Sequence, residues 1–513
     1  MKRKIITFLI LISVLFTMSC KKPGSGEYTQ DGYYKYNEEK ELTIAWLMSG
    51  NVVDTMNTPT IQRAKELTNI KLKNVLSKST TDWRQALNML IATENTPDIM
   101  HMYEHRMISQ YIRQGVLKPL DELIDKHAPN IKKYFEENPD HRKTLEWVDG
   151  KIYYIPCIAD GGVSMGWFIR TDWLKNLNLS VPQTVEEYYN VLKAFKTQDP
   201  NGNGIADEIP YFNRNAAVNY DTAITCLFPM WGTSHTMYEK DGRMVYGPYE
   251  PEFKEAIKNI AAWYREGLID PEIYTRGSNA REQLFGENIG GSTYDWFGTT
   301  AQFNQTLKNK IGNFSVEAIP PPAGYITDKR ETVKAVGWGI SSNSHNDIES
   351  IRYMDFWFTQ EGSLLANYGI EGETYDMVDG KPVFKKEIIN SDVAVVNKLN
   401  EYGVQLNMGY KQDFDYERQW LSPQAIEGMD MYQNNNYIRS LYSQKIILTD
   451  GDKTRVNEIE GTISDYVKEI QQKWVLGTLD IDASYDEYIA TLKNMHVEEM
   501  IAIYQKLLDE AKQ

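Results

Sequence analysis

The segment Asp199-Pro-Asn201-Gly-Asn203-Gly204-Ile205-Ala-Asp207-Glu208-Ile-Pro210 sets oxygen-bearing side chains on alternate residues of a loop broken by glycine. Oxygens at its first, third and fifth positions, glycine at the sixth and an acid at the ninth match the calcium loop of an EF-hand. Ca²⁺ takes roughly six to eight hard oxygens, and alternate residues of a tight loop can all turn inward to supply them. Asp199, Asn201, Asn203, Asp207 and Glu208 are the candidate side-chain ligands, and Ile205 would offer its main-chain carbonyl. Pro210 stands where an EF-hand has its bidentate Glu, so Asp207 or Glu208 must close the shell. Pro210 also stops any exiting helix, which makes the loop a static site rather than a sensor. The alternative is a polar Asn-Gly turn that holds no metal.

A second reactive position lies near the start. Met1-Lys-Arg-Lys4 is basic, Ile5 to Met18 is almost wholly apolar, and Ser19-Cys20 closes the run. The apolar stretch is short for a bilayer span. The pattern resembles the bacterial lipoprotein signal, with 1–20 as signal peptide and Cys20 diacylated as the first mature residue. Thr17 stands where that signal usually has leucine, and an ordinary cleaved signal peptide is the alternative. Two acyl chains would anchor the protein firmly. Residues 21–40 are polar, with Gly24, Ser25 and Gly26, and read as a flexible tether. No later stretch approaches a transmembrane length.

Other groups carry weaker signals. Cys157 and Cys226 suit either one disulfide or two buried thiols. His101 and His105 are four apart but lack a third ligand, so a solvated loop accounts for them better than zinc. A glycosidase would need paired carboxylates at a fixed gap. Glu371 with Glu373, or Asp295 with Glu287, could be imagined, but 71 acidic residues make such pairs uninformative. No GxSxG, HExxH or phosphate-binding glycine loop is present. The net charge of −16 argues against nucleic acid and against an electrostatically bound membrane surface.

These groups need a scaffold. Some 470 residues beyond the tether exceed one hydrophobic core, so two lobes are expected. Leu42 to Trp46 reads as a buried strand, Thr60 to Leu67 as a helix, and Ile70 to Val75 as a second strand. Thr81 to Ala92 reads as a helix and Asp98 to Met100 as a short strand. This βαβαβ rhythm predicts an α/β fold with a largely parallel sheet. Thr184 with Glu187 forms a capping box ahead of Val185, Tyr188, Leu192 and Phe195. Phe253, Ile257, Ile260 and Tyr264 keep helical spacing up to Gly267, as do Val497, Met500, Ile501, Tyr504, Leu507 and Leu508.

Several separated motifs share one resemblance. They are Gly166 to Leu174, Val181 to Tyr188, the Asp199 loop, Glu266 to Pro271, Gly369 to Tyr375, and Ile503-Tyr-Gln505. Together they resemble the extracellular solute-binding protein family 1, the maltose-binding-protein-like group, and within it the alginate-oligosaccharide-binding branch. The resemblance implies two α/β lobes in a periplasmic-binding-protein fold with a hinge that the chain crosses more than once. Residues 41–158 plus 334–360 would form lobe 1, and 159–333 plus 361–513 lobe 2, with Tyr153 to Pro156 and Lys334 to Trp338 at the first two crossings. It implies structural Ca²⁺ in the 199–210 loop, held by Asp199, Asn201, Asn203, Asp207 and Glu208. It also implies a monomer outside the cell membrane or in the periplasm, an oligosaccharide ligand, ABC transporter permease subunits as partners, and no catalysis. A peptide-binding or adhesin-like lipoprotein on the same scaffold is the rival reading, and a secreted glycan-active enzyme a more distant one.

A sugar offers an apolar C–H face and a rim of hydroxyls, which aromatic rings and polar side chains can cover. Trp46 and Asn51 follow the first strand, Tyr103, Glu104 and Arg106 follow the Asp98 strand, and Asp160 and Trp167 flank the first crossing. Trp231 and Trp296 fall in regions that resemble maltose-binding aromatic positions, and Trp338 sits at the second crossing. Trp231 and Trp296 are the leading candidates, whereas Trp263 and Trp357 sit in predicted helices as core. Arg106 and Arg170 would suit an acidic sugar, although Arg170 beside Asp172 also reads as a structural ion pair.

Overall fold

The computed structural model describes residues 25–46, 54–76, 83–103, 105–147, 149–159, 162–214, 222–327, 330, 332–391, 393, 395–443, 448 and 450–512. In chain order the strands are β1 (Gly26–Tyr28), β2 (Tyr34–Tyr36), β3 (Lys40–Ala45), β4 (Ile70–Asn74), β5 (Ile99–Met102), β6 (Ile155–Ile158), β7 (Met165–Arg170), β8 (Ile209–Tyr211), β9 (Met237–Lys240), β10 (Arg243–Tyr246), β11 (Gly290–Trp296), β12 (Val316–Ile319), β13 (Val333–Ile340), β14 (Tyr375–Val378), β15 (Lys381–Phe384) and β16 (Tyr410–Lys411). The chain folds into two compact units. Residues up to Ile158 and Val333–Gln412 form the first; Ala159–Thr332 and Asp413–Gln513 form the second.

The first unit is built on a sheet of order β16-β6-β13-β5-β3-β4. Strand β3 runs parallel to both β4 and β5, and β13 runs antiparallel to β5 and β6. The β3–β4 pair follows from the helical crossover Pro59–Thr68, which starts with proline and ends at Asn69 in the left-handed region, φ 58°. The third crossing between units falls after Gln412 rather than near Gln360, so residues 361–412 belong to the first unit. The cause is local: β16 pairs in parallel with β6, the amide of Gln412 donates to the Ile158 carbonyl, and that of Thr60 donates to Tyr402.

Residues 25–40 are also ordered, in place of the tether expected over 21–40. Strands β1 and β2 form a hairpin, with Tyr33 and Tyr36 buried against the unit. The polar composition of this stretch hides four tyrosines, and their rings supply the apolar surface that orders it.

The second unit carries a sheet of order β12-β7-β11-β8, in which β7 is antiparallel to β11 and β12 while β8 is parallel to β11. The helix Val185–Thr197 begins as its sequence predicts, with the Thr184 hydroxyl accepting from the Glu187 amide. The Glu187 carboxylate returns to the amide of Gln183, one residue earlier than the usual reciprocal partner. Tyr188, Leu192, Phe195, Phe253, Ile257 and Ile260 are all buried in one core. Cys157, in the first unit, and Cys226, in the second, form no disulfide. Among the described residues no helix is long and apolar enough to cross a membrane.

Candidate functional site

The Asp199 loop leads from the helix Val185–Thr197 into β8. Asp199, Gly202 and Gly204 adopt positive φ of 47°, 71° and 77°, which winds the loop tightly. The Asp199 carboxylate accepts from the amides of Asn203 (3.1 Å) and Gly204 (2.9 Å), and the Asn203 side-chain oxygen accepts from Ile205 (2.7 Å). The amide groups of Asn201 and Asn203 approach Asp207 at 3.2–3.4 Å. Thus the oxygens are gathered, although among the described residues no three acidic, histidine or cysteine side chains alone converge as a metal centre.

Glu208 supplies the test of fit. Its side chain is 1% exposed, and neither carboxylate oxygen has a hydrogen-bond partner among the described residues. Burial, followed by the charges of Asp207 and Asp199, pushes its carboxyl above the usual range. A buried carboxylate left unpaired beside two others is strongly destabilising, and a cation is the group that would relieve it. The donor set is all oxygen, which suits a hard ion such as Ca²⁺.

The opposite end of the same sheet gathers a different chemistry. Strands β8 and β11 run parallel and finish together, β8 leading to Asn213 and Arg214, β11 ending in Asp295 and Trp296. Arg214 makes a bidentate pair with Asp295, its Nε at 2.6 Å. A second guanidinium, Arg281, approaches Asp295 at 3.3 Å and donates to the hydroxyls of Thr299 (2.7 Å) and Thr300 (2.8 Å). Directly after this cluster the Trp296 indole is 47% exposed. Gly298 follows, packed so closely that a Cβ there would lie 2.7 Å from Leu421 and 3.4 Å from the Trp420 ring. Arg330 pairs in bidentate fashion with Glu417 (2.7 and 3.2 Å), on the helix that also carries Trp420. An exposed indole flanked by planar Arg–carboxylate pairs can cover a sugar face and bind its hydroxyls.

The other candidates fall elsewhere. Trp231 is half-buried, edge-on to Trp263 at 5.3 Å. Trp167 is core, packed against Tyr188, Tyr211 and Tyr294. In the first unit Trp46 and Trp338 are core as well, crossing edge to face at 5.0 Å, and Tyr103 is half-buried. These three tryptophans present no open ring face, because each is packed into the core of its own unit. His101 lies buried in β5 opposite Trp338 instead of in a solvated loop. Arg170 is a buried ion pair with Asp172, also bound to Asn288. Glu287 closes the helix Ala280–Gly286 ahead of β11, and Asp295 lies five residues, about 17 Å, beyond the first residue of that strand, which removes them as a glycosidase pair. Cys20, Asn51, Glu104 and Asp160 lie outside the described residues, as does the side chain of Arg106. Arg214, Arg330, Glu417 and Trp420 were not legible in the sequence, since their partners are 81 and 87 residues away.

The bacterial extracellular solute-binding protein family matches residues 49–363, over half of the chain. A fructooligosaccharide ABC transporter substrate-binding protein, FusA of Streptococcus pneumoniae, is 26% identical over 467 residues, 84% of this chain and 83% of FusA. Lipoprotein LipO of Bacillus subtilis is 22% identical over 422 residues, 75% of this chain and 77% of LipO. The structure of the alginate-binding protein AlgQ2 without calcium ion superposes with TM-score 0.81 at 35% identity, covering 92% of this chain and 98% of that one.

Proposed function

Because the chain belongs to the bacterial extracellular solute-binding proteins, we propose that it captures an oligosaccharide outside the cell and delivers it to the permease of an ABC importer. The observation that carries this reading is the exposed Trp296 beside Arg214–Asp295, close to Trp420 and Arg330–Glu417. Trp296 covers the apolar face of a sugar ring, and the paired arginines and carboxylates exchange hydrogen bonds with its hydroxyls. On the second unit Trp231 offers further aromatic surface and Asp160 a polar contact by position; on the first, Tyr103, Asn51, Glu104 and Arg106 remain sugar-contact candidates by position. Trp167 supports the second unit from its core, as Trp46 and Trp338 support the first. The protein works by binding alone, without bond-making chemistry.

Calcium is a structural cofactor in this reading. Asp199, Asn201, Asn203, Asp207 and Glu208 hold it with the Ile205 carbonyl, and it neutralises the buried Glu208. That the AlgQ2 structure is distinguished as one without calcium ion lends support, since AlgQ2 is 35% identical to this chain. Cys20 carries the lipid that keeps the protein at the outer face of the membrane, a placement supported by the likeness to LipO. The protein acts as a monomer.

A thermal-shift screen of residues 25–513 in calcium buffer, against neutral and uronic oligosaccharides, tests the function. A ligand at a hundred times its Kd adds about 2.7 kcal/mol to stability. A shift with one sugar class and no hydrolysis supports the reading. No shift with any sugar, and a shift with peptides, would replace it.

A further inference from the structure

The charges gathered around Trp296 decide what a sugar can carry there. We infer that the sugar ring Trp296 covers is uncharged: the second unit takes a neutral hexose or pentose at this position and rejects a uronate. This deepens the oligosaccharide reading of the proposed function and rests on it.

Arg214, Arg281, Arg330 and Arg418 lie on the elements around the indole, and each meets a carboxylate. Arg214 holds Asp295 in bidentate fashion, with Nε at 2.6 Å. Arg281 approaches Asp295 at 3.3 Å and Glu282 at 3.7 Å. Arg330 pairs with Glu417 through two nitrogens and two oxygens, and Arg418 with Asp430 in the same way. Trp420 closes the helix Phe414–Trp420 that carries Glu417 and Arg418, and its ring borders Gly298, two residues past Trp296. The four guanidiniums are therefore balanced by Asp295, Glu282, Glu417 and Asp430. Asp413 and Asp415, at the start of the same helix, tip the balance to the negative side.

These pairs are complete before a ligand arrives. Asp295 is 1% and Arg281 4% exposed, and Arg281 is also tied to the hydroxyls of Thr299 and Thr300. A uronate carboxylate at the indole would have to draw a guanidinium off its partner or stay without one itself. Either course leaves a desolvated carboxylate lacking a counter-charge, which is strongly destabilising. The indole adds to the penalty, because the face of its π system is negative. At long range, the net charge of −16 repels a polyanion. Neutral hydroxyls meet none of these costs. A bidentate pair consumes about two of the five guanidinium donors and about two of the four carboxylate acceptor sites. Such a pair still offers both roles, and a hydroxyl, being donor and acceptor at once, suits both.

The test is isothermal titration of the full chain, in detergent and calcium buffer, with matched sugars. Short oligosaccharides of galacturonate, mannuronate and glucuronate are compared with their carboxyl-reduced forms, which keep linkage and ring configuration, and neutral fructo-oligosaccharides are added. Neutral sugars binding at least tenfold tighter than any uronic one support the inference. A uronic oligosaccharide within tenfold of the neutral ones, or tighter, overturns it and leaves oligosaccharide capture intact. No binding by any sugar overturns both. Glu417→Gln releases Arg330 and should narrow the gap to the uronic sugars at least threefold. An unmoved gap in the folded variant overturns the charge account. Where Glu417→Gln does not fold, Glu282→Gln, at a carboxylate 53% exposed, gives the same reading.

Discussion

Asn201 donates its side-chain amide to the main-chain carbonyl of Asn288 at 3.1 Å, joining the oxygen-rich loop to the start of β11. Asn288, at φ 64°, is held from the other side by Arg170 at 2.7 Å. The loop thus braces the ends of β8 and β11 remote from Trp296, and the calcium proposed for it should govern stability more than sugar affinity.

Calcium removal with a chelator is therefore expected to lower the melting temperature while sugar Kd changes less than about threefold. Asp199→Ala abolishes the calcium dependence of the melt. Glu208→Gln separates charge from shape. In chelator it melts at or above the parent, because a buried unpaired charge is gone; in calcium it melts below. Melting curves of the three proteins with and without calcium check this, and an identical parent melt in both buffers would sink it.

Trp296→Ala should cost less than about 1 kcal/mol of stability and weaken sugar binding at least tenfold, about 1.4 kcal/mol. Trp167→Ala should do the reverse in kind, destabilising the second unit by about 3–5 kcal/mol through a core cavity. Calorimetric titration with the sugar found by the screen, beside denaturant unfolding, distinguishes them. Unchanged affinity in Trp296→Ala would remove this indole from the site.

Such a division was not visible in sequence. Twelve tryptophans share the same composition signal, and only strand pairing decides that Trp338 faces Trp46 while Trp296 stays open. What was legible was local: the Thr184 cap, the alternation of β4, the helix after Pro59, and the tight glycine turn of the Asp199 loop, each set by neighbours within a turn. The third crossing was missed because β16 is two residues long and its partner β6 lies some 250 positions earlier. The hairpin was missed because its four tyrosines are scattered among polar and charged residues and form no apolar run, yet their rings pack as hydrophobes.

Asp295 stands between two guanidiniums and is 1% exposed. Asp295→Asn keeps the shape but leaves Arg214 and Arg281 facing each other without the carboxylate. A loss of about 3–5 kcal/mol is expected, as for other broken buried pairs. Asp430→Asn, which breaks the exposed pair with Arg418, should cost less than about 1 kcal/mol. Urea unfolding of both variants gives the comparison, and similar small losses would mean that the Asp295 cluster is solvated.

Acid sensitivity should trace to His101. Burial among Trp46, Tyr103 and Trp338 holds its imidazole neutral, with the pKa lowered to about 3. The folded state thus binds fewer protons than the unfolded chain, whose histidine titrates near 6.5. Stability from this residue is complete above about pH 6.5 and is lost as pH falls toward 3, by about 2 kcal/mol at pH 5. Asp355 pulls the other way: burial raises its carboxyl to about 7, so its contribution falls as pH rises from about 4 to 7. The two slopes oppose each other in the parent, and only a difference isolates His101. His101→Phe keeps an aromatic ring and removes the proton site. The stability of the parent relative to this variant should drop by about 2 kcal/mol between pH 7.5 and pH 5 in denaturant unfolding. A constant difference across that range would show that the imidazole takes up a proton in place, and the buried neutral state would have to be abandoned.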